Sequence, residues 1–195
     1  MLPLVYFVRH GQTDWNAANR FQGQNEVDLN EIGRAQADRN GRKLAELIAS
    51  AEAFDFVCSP MRRTRETMQR LRLAMRLPAE EYRTDRRLIE VHFGDWTGFT
   101  PDELKEKDPE FRRHRRRDKW NIVPPGEGAE SYRMLQDRVR PWFDGLAQPT
   151  VCVTHGGVIR AVARIVETLS DDAAASMAVP QDRILRLENG KLEWL

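Results

Sequence analysis

Between positions 150 and 169 the chain reads TVCVTHGGVIRAVARIVETL. Thr150 to Thr154 is a short run of β-formers without a charge, the pattern of a strand covered on both faces. Gly157 to Leu169 follows at once as an apolar helix, so the stretch is one strand–helix unit. The unit recurs towards the N-terminus. Pro3 to Val8 is a buried strand bounded by His10-Gly11, and Leu29 to Ser50 is a helix with apolar positions at Ile32, Ala35, Leu44, Leu47 and Ile48. Phe54 to Cys58 is a second buried strand, followed by a helix over Arg62 to Met75 with Met68, Leu71 and Met75 on one side. Strand and helix alternating through short loops predict a three-layer α/β/α sandwich around a mostly parallel central sheet.

The remaining segments fill in that frame. Arg83 to Ile89 reads as a third, more polar strand near an edge. Two short helices are expected between Pro101 and His114, and a longer one over Ser131 to Leu146 that Pro141 should bend or restart. The tail pairs Ile184 to Leu187 with Leu192 to Leu195 across Glu188-Asn189-Gly190, where Asn-Gly is the strongest short hairpin signal.

The chain has 195 residues, 41% hydrophobic and 31% charged, which fits one ordinary globular domain over 1–195. With 31 Lys+Arg against 30 Asp+Glu the net charge is +1, which argues against general nucleic-acid binding. No stretch is long and apolar enough for a membrane span, and the N-terminal apolar run lacks the flanks of a signal peptide. Cys58 and Cys152 lie in apolar runs and make neither a disulfide framework nor a zinc motif. The expectation is a reduced, cytoplasmic protein, a monomer or homodimer, with no membrane or nucleic-acid partner.

In parallel sheets ligands sit at the carboxyl ends of the strands. Three such ends are polar: Arg9-His10-Gly11-Gln12-Thr13, Cys58-Ser59-Pro60 with the following Arg62-Arg63-Thr64-Arg65, and Thr154-His155-Gly156-Gly157. Two His-Gly pairs would then face a group of arginines. Arginine presents a planar fork of donors to phosphate oxygens, and glycine permits close backbone approach with amides free at a helix start. The set reads as an anion site containing histidines, with phosphate the natural anion. Neighbouring arginines should hold an imidazole neutral, and a neutral imidazole can attack phosphorus. Fixed positive charge can stabilise the transferring group, so neither a metal nor a cofactor is called for.

These residues resemble the histidine phosphatase superfamily, the phosphoglycerate mutase-like family. The resemblance runs through five blocks in order over most of the chain. They are Val8-Arg9-His10-Gly11-Gln12-Thr13-Asp14-Trp15-Asn16; Arg20-Phe21-Gln22-Gly23 with Asp28-Leu29-Asn30-Glu31-Ile32-Gly33-Arg34-Ala35-Gln36-Ala37; Ser59-Pro60-Met61-Arg62-Arg63-Thr64-Arg65-Glu66-Thr67; Leu88-Ile89-Glu90-Val91-His92-Phe93-Gly94-Asp95-Trp96-Thr97-Gly98; and Val153-Thr154-His155-Gly156-Gly157-Val158-Ile159-Arg160. The resemblance implies the phosphoglycerate mutase-like fold, with residues 90–150 as a variable helical insert forming the pocket wall. It implies that His10 is the phosphorylated nucleophile, that Arg9, Arg63 and His155 surround the phosphoryl group, and that Glu90 is the acid and base. Asn16 would add a neutral donor, and Gln22 and Gly23, with Gly156, would contact substrate.

The function so implied is a metal-independent phosphatase acting on small phosphomonoesters through a phosphohistidine. A cofactor-dependent phosphoglycerate mutase and a non-catalytic phospho-ligand binder are the alternatives. The short segment from Glu90 to His155 and the end at Leu195 favour phosphatase over mutase, and Glu90 argues against a mere binder. Departures from the family pattern are Thr64 and Met68 in place of alanines, and a looser turn at Gly126-Glu127-Gly128-Ala129-Glu130-Ser131. Plainer readings are a helix cap for Asn16, a loop residue for Gln22 and an ion-pair partner for Glu90. The basic run Arg112 to Arg117 is either a solvated face or a rim that draws in a polyanionic substrate.

Overall fold

The computed structural model describes residues 2–195, apart from the side chains of Pro109, Arg112, His114 and Arg116. In chain order the elements are β1 (Val5–Arg9), α1 (Asp14–Ala17), α2 (Glu31–Leu47), β2 (Asp55–Cys58), α3 (Arg62–Ala74) and β3 (Arg83–Thr84). Then come α4 (Pro101–Lys107), α5 (Pro109–Arg117), α6 (Tyr132–Asp144), β4 (Thr150–Thr154), α7 (Gly156–Glu167), α8 (Asp171–Ser176), β5 (Ile184–Glu188) and β6 (Lys191–Trp194). The sheet order is β3-β2-β4-β1-β5-β6. The first four strands run parallel, and the β5–β6 hairpin closes the far edge antiparallel.

Alternation along the strands sorts the core into two halves. Val5 and Phe7 of β1, Val57 of β2 and Cys152 of β4 face Leu135 and Val139 of α6 and Ile159 and Val162 of α7. Tyr6 and Val8, Phe56 and Cys58, and Val151 and Val153 face Leu44 of α2 and Met68 and Leu71 of α3. Helices therefore cover both faces of the sheet, which is the sandwich the alternation predicts. The two cysteines point to opposite faces, and both are buried and free. A third, small core of Trp96, Leu104 and Phe111 holds the segment around α4 and α5. Among the described residues no helix is long and apolar enough to cross a membrane.

Two local expectations are corrected. The third strand stops after Arg83–Thr84, because the Asp85 carboxylate accepts from the Arg87 amide at 2.9 Å and caps a 3-10 turn over Arg86–Leu88. Its edge position holds. Of the bend or restart expected at Pro141, the restart does not occur: helix α6 runs through it to Asp144. A proline inside a helix costs about 3 kcal/mol. Trp142 and Phe143 beyond it are buried, and burying such side chains returns roughly 1.5–3 kcal/mol each. The short helices α1 and α8 were not anticipated.

Candidate active site

Strands β1, β2 and β4 lie side by side and parallel, so their carboxyl ends bring Arg9-His10, Ser59 and His155 to one edge. The His10 amide continues the ladder by donating to the Thr154 carbonyl at 2.9 Å. Above them is a cavity of about 340 Å³ lined by Arg9, His10, Asn16, Gln22, Gly23, Arg63, Glu90 and Gly156, together with residues of later segments. His155 lies fully buried just beneath, its ring edge-on to that of His10 with centroids 5.2 Å apart.

His10 has one ring nitrogen committed. Nδ1 stands 2.8 Å from the Gly11 carbonyl oxygen. A carbonyl only accepts, so Nδ1 carries the proton and Nε2 keeps its lone pair. Burial pushes the His10 imidazole well below its ordinary value, and the Arg63 and Arg9 guanidiniums push the same way. Desolvation outweighs the arginines expected to act alone. His155 is likewise held well below the usual range, by burial and then by Arg63, His10 and Arg9.

The two arginines are held by backbone. Arg63 donates from Nη1 to the Asn25 carbonyl and from Nη2 to the Gly23 carbonyl, both at 2.7 Å. Arg9 donates from Nη1 to the Val179 carbonyl at 2.8 Å. Burial lowers each to about 10, against the attraction of Glu90, so both remain charged at neutral pH. Four nitrogens here are buried without a hydrogen-bond partner among the described residues: Nε of Arg9, Nε of Arg63, Nε2 of Gln22 and Nδ1 of His155. Buried polar nitrogens are rarely left unmet, and these, gathered beside His10, fit the oxygens of an anion.

Glu90 is fixed by main chain and by a second layer. Its Oε2 accepts from the Gly157 amide at 3.1 Å, at the start of α7, and Oε1 from the Val91 amide at 2.9 Å. A Cβ on Gly157 would overlap Oε1, so it is this glycine whose bareness makes room for the acid. Glu130 pairs with Arg138 at 2.8 Å and accepts from the His92 amide. Arg138 in turn donates to the carbonyls of Arg87 and Ile89 and anchors the backbone before Glu90. The looser turn thus keeps a working glutamate at 130, and Ser131 caps α6 by accepting from the Met134 amide.

Gly11 departs from expectation. Its amide is not free at a helix start but donates to Thr67 Oγ1 at 3.1 Å, and its bareness serves packing, since a Cβ would overlap the Gly33 carbonyl. Asn16 is the N3 residue of a capping box on Thr13, yet it also lines the cavity, so cap and pocket readings both apply. Gln22 Oε1 accepts from Thr13 Oγ1 at 2.6 Å. Gly23 has φ +53, the left-handed region glycine favours, and turns its carbonyl onto Arg63.

Gln181, Lys119, Asn19 and Tyr132 also line the cavity, and the sequence reading singled out none of them. Gln181 donates to the His10 carbonyl at 3.1 Å and to Asn16 Oδ1 at 3.0 Å, and no local motif announced it. Arg115, Lys119 and Arg160 line the cavity together with Tyr132. Burial, then Arg115 and Arg160, lower the Lys119 ammonium to about 8. Arg160 closed one of the recognised blocks, and Arg115 belongs to the basic run. Of that run, the side chains of Arg112, His114 and Arg116 lie outside the described residues.

The family profile described as histidine phosphatase superfamily (branch 1) matches residues 5–194. A 2,3-bisphosphoglycerate-dependent phosphoglycerate mutase of Beijerinckia indica is 31% identical, over 89% of this chain and 86% of its own. Phosphoglycerate mutase-like protein 4 of Arabidopsis thaliana is 34% identical, over 81% of this chain and 68% of its own. A mycobacterial glucosyl-3-phosphoglycerate phosphatase solved with VO3 superposes with a TM-score of 0.79 at 28% identity, covering 99% of this chain and 96% of that one.

Proposed function

The chain belongs to the histidine phosphatase superfamily, and we propose that it hydrolyses small phosphomonoesters through a phosphohistidine at His10, without a metal. The carrying observation is the fixed His10 tautomer, Nδ1–H on the Gly11 carbonyl, under a ring of buried donors that lack an acceptor.

In the first step the Nε2 lone pair of His10 attacks phosphorus and the bond from phosphorus to the leaving oxygen breaks. Protonated Glu90 gives its proton to that oxygen, so an alcohol departs. The phosphorylated ring keeps Nδ1–H on the Gly11 carbonyl, which stabilises the cationic imidazole. Arg9, Arg63, Gln22 and His155 donate to the equatorial oxygens and offset their growing charge. In the second step Glu90 takes a proton from water, the hydroxide attacks phosphorus, the P–N bond breaks, and phosphate leaves with His10 restored. The positive charge that a metal would supply comes from Arg9 and Arg63. Arg115, Lys119 and Arg160, further cations of the same cavity, favour an alcohol that carries a second negative charge.

A second reading, a 2,3-bisphosphoglycerate-dependent phosphoglycerate mutase, is supported by relatives of that name matched over 86% of their length. The phosphatase reading has the support of the mycobacterial phosphatase, matched over nearly the whole of both chains.

The test is a parallel assay with p-nitrophenyl phosphate and with 3-phosphoglycerate, the latter with and without 2,3-bisphosphoglycerate, each repeated in EDTA. Phosphate release insensitive to EDTA, with a phosphohistidine trapped at His10 and lost in His10→Ala, is the expected outcome. Primed isomerisation would make the protein a mutase. Turnover by His10→Ala near the wild-type rate would overturn the mechanism.

A further inference from the structure

Ser59 stands at the carboxyl end of β2, fully buried, with Oγ 2.8 Å from Nε2 of His155. The only other hydrogen-bond neighbour of that hydroxyl among the described residues is the Met61 amide, which donates to it at 3.5 Å. A hydroxyl has one proton to place, and an amide N–H cannot take it. The proton is satisfied only if Nε2 of His155 accepts. With Nε2 as acceptor and the imidazole neutral, the ring proton must sit on Nδ1, which is buried without a partner. In the opposite tautomer Nε2–H would donate to Oγ, the hydroxyl proton would have no acceptor, and a bare Nδ1 lone pair would meet the phosphoryl oxygens.

We propose that Ser59 is a positioning residue: its hydroxyl holds His155 in the Nδ1–H tautomer, so that this proton is presented to the phosphoryl group on its way to and from His10. The step at His155 is a hydrogen bond only; no proton leaves the ring. The inference rests on the phosphoryl-transfer reading above, yet the tautomer can be read without substrate.

The experiment is long-range 1H–15N NMR of the full chain labelled with 15N-histidine, compared with Ser59→Ala and Ser59→Thr, with orthovanadate as the added anion. In the wild type, His155 should give a pyrrole-type Nδ1 and a pyridine-type Nε2, and vanadate should move the Nδ1 proton downfield. Ser59→Ala should give a mixed tautomer and lower kcat on p-nitrophenyl phosphate by about tenfold to a hundredfold, the loss expected for one misplaced charge-assisted hydrogen bond, with KM little changed. Ser59→Thr, which restores the hydroxyl, should recover the tautomer. A wild-type His155 protonated on Nε2 overturns the inference even if the variants fail to fold. So does a Ser59→Ala protein with the Nδ1–H tautomer and kcat intact. Nδ1–H on His155 in a protein that turns over no phosphomonoester would instead remove the catalytic reading and leave the Ser59–His155 geometry standing.

Discussion

Arg63 carries two duties at once. Its Nη1 and Nη2 each hold a carbonyl of the 23–25 loop, while Nε lies buried with no acceptor among the described residues. A lysine ammonium keeps the charge but cannot reach two carbonyls and a phosphoryl oxygen in one plane. Arg63→Lys should lower kcat/KM by about tenfold to a hundredfold, about 1.5–3 kcal/mol for a lost charge-assisted contact. A value within twofold of wild type would mean that Nε is not a phosphoryl donor. Lys119 offers a finer test, because its ammonium titrates near pH 8. For a phosphomonoester bearing a second anion, KM should rise as pH passes through about 8 and the charge is lost. Lys119→Arg should flatten that rise, and p-nitrophenyl phosphate, which has no second anion, should not display it. An equal rise for both substrates would disconnect Lys119 from recognition of the alcohol.

At the scale of elements, the start of α7 makes the site. Gly156 and Gly157 let the helix begin directly under the pocket, and the Gly157 amide takes one oxygen of Glu90. Gly157→Ala would drive a methyl into that carboxylate and towards Leu135. It should cut kcat at least tenfold while leaving the thermal midpoint within a few degrees, since Glu90 can move and the helix gains propensity. A lost midpoint with kcat per folded molecule intact would reverse that assignment. Much of this arrangement is legible in the sequence because periodicity and motif coincide. The uncharged runs at Val5–Val8 and Thr150–Thr154 give the strands, and polar residues just past them give the strand-end site. What escaped was decided by side-chain contacts across long separations or by caps on short elements. Thr13 with Asn16 and Ser170 with Ala173 cap α1 and α8, helices of four and six residues in which no apolar period can develop. Asp85 ends β3 by the same means, and a polar strand beside a capping aspartate could have been read that way. Gln181 reaches His10 across 171 positions, which no local pattern encodes.

At the scale of the whole molecule, the site imposes a pH dependence on folding. His10 and His155 are both buried neutral, with pKa values well below the 6.5 of a free imidazole. In the unfolded chain each takes a proton near pH 6.5. Between that value and the lower folded one, the unfolded state binds more protons, so unfolding free energy falls as pH falls. Each imidazole contributes up to about 1.4 kcal/mol per pH unit, roughly 2.7 kcal/mol for the pair. The carboxylates lowered by their arginine partners, Asp85 and Asp171, add their loss only at more acidic pH, below the ordinary carboxylate value near 3.9. Urea unfolding at pH 7, 6 and 5 should therefore give a steep loss of stability before the Asp85 and Asp171 contributions are lost. His10→Asn, which keeps a polar side chain without a proton to gain, should roughly halve the slope. Stability that stays flat from pH 7 to 5 would mean that the two rings take up protons in the folded state, and a His10 protonated there could not serve as the nucleophile.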